Sequence, residues 1–349
     1  MAGVLLLLSC SSGDDAEPTP KTDKRPISFA GRLTDEEAVT RATSLESVLT
    51  NKTFTVWSYK NDAYDSGTGS YTSSQVVMPA YTVNWTASTA HTTTTNTHDW
   101  EYVGQGTQQE IKYWDMDAKA YRFFGYANGN ATADPATSPV AVSTASTTDA
   151  FTMTATVDAV SDATIAAAPY FTKLWFSDGN PTTYPDRQFG KPVVLQFLKP
   201  FARVRFTFTF AEGLTISSTD LVSHTFKPTD TSKKIATAGT VAVAYPLKGT
   251  EDTESWTVSS TTGIDQFNTI DQWYDVLPAE NQGSYTVSVQ ISEEKTAEVP
   301  AEYMNWKPGY EYTYRFKITD GGGIMLDDIQ VAINDWVVVQ NLNHSVYNW

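Results

Sequence analysis

Residues 203–210 read Arg-Val-Arg-Phe-Thr-Phe-Thr-Phe. On an extended chain Val204, Phe206, Phe208 and Phe210 fall on one side, and Arg203, Arg205, Thr207 and Thr209 on the other, because successive side chains point to opposite faces. An unbroken period of two is the mark of a strand with one buried face. The pattern recurs upstream. Phe54 and Val56 alternate with Thr55 and Trp57, Tyr121 and Phe123 with Arg122 and Phe124, and Phe151, Met153, Ala155 and Val157 keep the same period. Downstream, Tyr285, Val287, Val289 and Ile291 alternate, as do Tyr310, Tyr312, Tyr314, Phe316 and Ile318. Turn-rich stretches such as Asp65-Ser66-Gly67-Thr68-Gly69 and Asn128-Gly129-Asn130 separate these runs. Helical periodicity is weak everywhere. The expectation is an all-β chain of β-sandwiches with antiparallel sheets.

At 349 residues the chain exceeds what one hydrophobic core usually organises, which predicts two domains. The division is expected near Lys199-Pro200, where one run of strands ends and the Phe-rich strand begins. This gives an N-terminal sandwich over 42–199 and a C-terminal one over 200–336. Only 18% of residues are charged, and the formal charge of −16 excludes a nucleic-acid binder, which needs clustered Lys and Arg. The single cysteine, Cys10, permits no disulfide and no thiolate metal site.

The four histidines, His91, His98, His224 and His344, show no ligand spacing, so no metal and no cofactor is expected. Asp115-Met116-Asp117 and Asp327-Asp328 lack the rest of a calcium loop and read as turn acids. No nucleophile elbow, phosphate loop or dinucleotide fingerprint is present, and the chain is not expected to be an enzyme. Trp57, Trp85, Trp100, Trp114 and Trp306 read as core residues before they read as a sugar-stacking platform.

Both ends carry signals. Val4-Leu5-Leu6-Leu7-Leu8-Ser9-Cys10 is an apolar run too short to span a bilayer, and reads as the remnant of a signal peptide over residues 1–10. Its last four residues resemble a lipobox, which makes Cys10 a candidate for lipidation. Residues 11–41 combine a polar tether with a first strand, in which Ile27 and Phe29 alternate with Ser28 and Ala30. At the other end Ile329, Val331 and Ile333 alternate, and the phase then slips at Asn334-Asp335, which predicts a bulge or strand end. Apolar residues continue to Trp349. Such a terminus needs a groove, in its own domain or in a neighbour's.

Several segments together resemble the FimA/Mfa-like fimbrillin family, the subunits of type V pili. They are the lipobox ending at Cys10, Val39-Thr40-Arg41-Ala42, Phe54-Thr55-Val56-Trp57-Ser58-Tyr59, Lys112-Tyr113-Trp114 with Tyr121-Arg122-Phe123-Phe124-Gly125-Tyr126, the Phe-rich strand, and Trp336-Val337-Val338-Val339. The resemblance implies two transthyretin-like β-sandwich domains in tandem, exported as a lipoprotein precursor to the outer membrane. It implies cleavage by an Arg-specific protease between Arg41 and Ala42, with loss of a removable strand containing Ile27, Phe29 and Leu33. Other pilin subunits would be the partners. The donor strand would be residues 337–349, with Val337, Val339, Leu342, Val346 and Trp349 as candidate inserting side chains. Two alternatives stay open. Residues 337–349 can instead form the last strand of their own domain. The chain can instead be an uncleaved surface lipoprotein that binds glycan or host protein.

Overall fold

The computed structural model describes residues 25–32, 49–85, 100–103, 109–129, 140–158, 168–214, 221, 223–280, 282–319, 323–333 and 337–342. Among these residues there are twenty-two strands, two short 3-10 turns and no α-helix. The chain is all-β. In order, the strands are β1 (Phe29–Arg32), β2 (Thr53–Asn61), β3 (Tyr64–Asp65), β4 (Ser70–Tyr71), β5 (Gln75–Trp85), β6 (Trp100–Glu101), β7 (Ala120–Ala127) and β8 (Val140–Ser146). Next come β9 (Ala150–Val157), β10 (Tyr170–Thr172), β11 (Trp175–Ser177), β12 (Val193–Leu198), β13 (Ala202–Phe210), β14 (Ser223–Pro228) and β15 (Ile235–Pro246). The last are β16 (Ser255–Ile264), β17 (Tyr274–Val276), β18 (Tyr285–Gln290), β19 (Glu294–Val299), β20 (Tyr310–Ile318), β21 (Ile324–Ile333) and β22 (Val337–Leu342).

The first large sheet runs β10-β12-β1-β6-β5-β2-β7-β11, and β10 also pairs with β7, so the sheet closes on itself. Its interior holds Ile27, Phe29, Phe54, Val56, Phe123, Trp175, Leu195 and Phe197. β7 is buried on both faces. Tyr121 and Phe123 point into this interior, while Phe124 stacks on Tyr245 at 4.3 Å in a second core. The alternation within 121–124 is therefore between two apolar faces. Gly125 lies where β7 crosses β2, and a Cβ there would sit 2.2 Å from the Thr55 carbonyl oxygen. Only glycine permits that approach. Arg122 is fully buried between the rings of Tyr71 and Phe176 and donates to the Asn61 side chain and the Glu251 carbonyl.

Beyond residue 200, a five-stranded sheet, β17-β13-β20-β21-β22, faces a three-stranded one, β14-β18-β19. Val204, Phe206, Tyr314 and Phe316 from the first meet Phe226, Tyr285 and Val287 from the second, with Phe226 5.1 Å from Tyr314. The alternation of 203–210 feeds this core, since Val204 and Phe206, with Ala202 just before them, are its fully buried members on β13. A fourth sheet, β16-β15-β9-β8, draws two strands from each side of residue 199, and β9 pairs with β15 from Gly239↔Val157 to Pro246↔Ala150. Its core combines Phe151, Met153 and Ala155 with Phe201, Val241, Val243 and Tyr245.

The sheets are not purely antiparallel as the sequence suggested. β13 runs parallel to β20 over eight residues, and β1 parallel to β12 over four. Parallel neighbours need a long crossover, and the chain between each pair supplies it, with several of the intervening strands joining the same sheet. The break expected at Asn334-Asp335 lies outside the described residues, between β21, described to Ile333, and β22, described from Val337.

Candidate functional site

The site is built around β1. Short strands gain little from their own propensity, so β1 exists because of what it packs against. It lies between β12 and β6, paired in parallel from Phe29↔Val193 to Arg32↔Gln196 and antiparallel at Phe29↔Trp100. Just before it, the Ile27 N–H donates to the Lys112 carbonyl at 2.8 Å and the Trp114 N–H donates to the Arg25 carbonyl at 2.9 Å. The Val193 N–H donates to the Ser28 carbonyl at 2.8 Å. Tyr102 ties this stretch from within, donating to the Ile27 carbonyl at 3.0 Å and accepting from the Lys112 N–H at 3.1 Å. Burial pushes its phenol up to about 12.

Ile27 and Phe29 are completely buried. Phe29 meets Phe54, Tyr102 and Phe123 edge-on, at 6.1, 5.8 and 6.0 Å between centroids. Arg25 packs its stem against Gly190, whose φ of +84° and lack of a Cβ leave the room it fills. Burying Ile27 and Phe29 contributes about 1.5–3 kcal/mol each. The backbone bonds add about 0.5–1.5 kcal/mol apiece. The sum is comparable with the whole stability of an ordinary domain, about 5–15 kcal/mol. Without β1, the β12 and β6 edges would each lose a partner and the interior would lose two large side chains. What the arrangement does is hold one strand in a slot shaped for apolar side chains.

Of the residues singled out in the sequence, Ile27 and Phe29 lie together in this slot. Cys10, Leu33, Arg41, Ala42, Val346 and Trp349 lie outside the described residues. Val337, Val339 and Leu342 belong to β22, far along the chain, which pairs with β21 from Ile333↔Val337 to Ile329↔Leu342 and ends its sheet. The slot walls, β12 and Trp100, were not singled out as site residues. The signal for β12 was Val193-Val194-Leu195-Gln196-Phe197-Leu198, a nearly continuous apolar run of the kind a strand buried on both faces carries.

Elsewhere, Asp115 is a turn acid that accepts from Lys60 Nζ at 2.6 Å and from the Asp117 N–H at 3.1 Å. His224 packs against Phe206 at 6.0 Å. Trp100, Trp114 and Trp306 are buried, and Trp57 and Trp85 pack against cores. Among the described residues no three His, Cys, Asp or Glu side chains gather as a metal site would require.

Fold and site together define an all-β protein whose first sheet is completed by a buried strand from near the beginning of the chain. Residues 40–336 match the model of the fimbrillin-like family, and the chain belongs to that family. Membership supports a pilus role for the chain. Among solved structures, a fimbrial protein from Bacteroides vulgatus is 12% identical, with 89% of this chain and 100% of that one covered and a TM-score of 0.42. A fimbrial assembly protein from Parabacteroides distasonis is also 12% identical, covering 86% and 96%, with a TM-score of 0.30. No curated protein matches the chain.

Proposed function

We propose that this chain is a pilus subunit made as a lipoprotein precursor, anchored to the outer membrane through Cys10 and matured by an Arg-specific protease at Arg41-Ala42. The observation that carries the reading is the position of β1. It lies on the N-terminal side of Arg41, so cleavage there separates it covalently from the body it completes. Its release exposes unpaired backbone on β12 and β6 and an apolar slot, a template for strand addition. The donor is residues 337–349 of another subunit, inserting Leu342, Val346 and Trp349. In support, β22 is held through one edge only among the described residues, by its hairpin with β21. A subunit with both features can accept at one end and donate at the other, as a stalk requires.

Two transthyretin-like sandwiches divided near residue 199 belong to the same reading. Supporting it, one core draws on residues 27–197 alone and another on 202–329 alone. The third core, shared between β9 and β15, couples the two and stiffens the subunit.

The test treats purified precursor with an Arg-specific protease and follows size by gel and light scattering, with Arg41→Ala as control. Clipping at Arg41 followed by denaturant-resistant ladders is expected, and deletion of residues 340–349 should cap their growth. A clipped chain that stays monomeric, or a wild type never cut there, sinks the mechanism and favours an uncleaved surface lipoprotein.

A further inference from the structure

β16 is the outermost strand of its sheet. It pairs with β15 on one side, and among the described residues no strand pairs with the other. An open edge offers unpaired N–H and C=O groups to any extended chain, and folded proteins blunt it with charge or proline. Two other edges of this molecule are blunted in that way. β14 carries Lys227 and Pro228, and β19 carries Glu294, Lys295 and Glu298. The ten residues of β16, Ser-Trp-Thr-Val-Ser-Ser-Thr-Thr-Gly-Ile, hold no charge and no proline, although the chain as a whole carries −16.

From Ser255 to Ser260 the strand pairs in step with Ala244 to Gly239, without a bulge. Residues opposite each other on antiparallel strands share a face. Val258 is opposite the fully buried Val241 and therefore faces the core side, yet it is 37% exposed. Trp256, opposite Val243, shares that side and packs 6.3 Å from Phe171. Thr257, opposite Ala242, is exposed on the other face. One more strand beside β16 would cover Val258. β8, the far edge of the same sheet, has no exposed large apolar side chain to cover.

The strand is complementary to itself. When two copies run antiparallel about a two-fold axis at Thr257, Trp256 of each lies across from Val258 of the other, Ser255 across from Ser259, and Thr257 across from Thr257. Opposite positions then always share a face, so the inner and outer sides of both sheets run on without a break. An aromatic ring across from a β-branched side chain is a favourable pair. Glu254, just before the strand, falls across from Ser260 and meets no acid. Two strongly acidic bodies thus meet along a strip where neither carries charge.

We propose that β16 is an edge for lateral association, at which two copies of this chain join their four-stranded sheets into one. The contact needs neither cleavage at Arg41 nor the slot around β1, so it stands or falls apart from pilus assembly. The test is sedimentation equilibrium of the uncleaved full chain at rising concentration. A reversible dimer is expected, tighter as added salt screens the repulsion between the two bodies. Thr257→Lys sets two ammoniums face to face on the axis and should weaken the dimer about tenfold or more with an unchanged melting temperature. An equimolar mixture of Thr257→Lys and Thr257→Glu chains should restore it, because that register sets opposite charges across from each other. Ser143→Lys, on β8, should leave the dimer intact. A chain that stays monomeric, undiminished association of Thr257→Lys, a mixture that fails to pair, loss of the dimer through Ser143→Lys, or growth beyond the dimer would each overturn the proposal.

Discussion

Phe29→Ala tests how the closing strand is held. The ring is fully buried and touches three other rings edge-on, at 5.8–6.1 Å. Truncating a phenylalanine at such a site costs about 3–5 kcal/mol, the sum of lost transfer energy and the cavity left behind. The slot has little freedom to collapse, because Phe54 and Phe123 are fixed on β2 and β7, which pair with each other over seven residues. The upper half of the range is therefore expected. Among the described residues the backbone of β1 pairs with β12 and β6 alone, with further bonds at residues 25–28, so the loss falls on local opening rather than on the whole fold. Native-state hydrogen exchange followed by mass spectrometry separates the two. The Ile27 and Val193 amides should exchange roughly a thousandfold to several thousandfold faster, since about 1.4 kcal/mol is a factor of ten. Those of β14 and β18 should hold their rates. Equal acceleration in β14 and β18, or a change at Ile27 below about fivefold, would refute the view of β1 as a separately held strand.

Further outcomes follow from other contacts. Gly125→Ala should cost about 3 kcal/mol or more in urea unfolding, because its Cβ would meet the Thr55 backbone, whereas Gly249→Ala meets nothing within 4 Å and should cost only about 1 kcal/mol for its φ of +92°. Arg122→Ala should lose about 3–5 kcal/mol by leaving a cavity between Tyr71 and Phe176 and the buried Asn61 side-chain oxygen without this donor, while Arg122→Met, which keeps the stem between the two rings, should lose less than half of that. Glu311 is pushed above the usual carboxylate range by burial, against the opposing pull of Arg203 at 3.6 Å. Its folded state holds the proton more tightly than the unfolded state, so its contribution to stability is full below the ordinary carboxylate pKa and is lost as pH rises through the folded value. Melting temperatures at pH 4 and pH 7 should therefore show Glu311→Gln gaining on the wild type at the higher pH; the opposite trend would sink that assignment.

The sequence by itself determined the all-β class and most of the strands that build the cores. The period of two in 203–210, 151–157 and 310–318 is a local property, readable wherever one face is apolar and the other polar. It also marked Ile27 and Phe29 as buried strand residues. Only the tertiary structure decided which strands lie side by side. The parallel pairing of β13 with β20, the slot between β12 and β6, and the sheet joining β9 to β15 all bring together residues at least seventy positions apart. Strand propensity carries no record of such distant partners, because any exposed edge offers the same backbone groups.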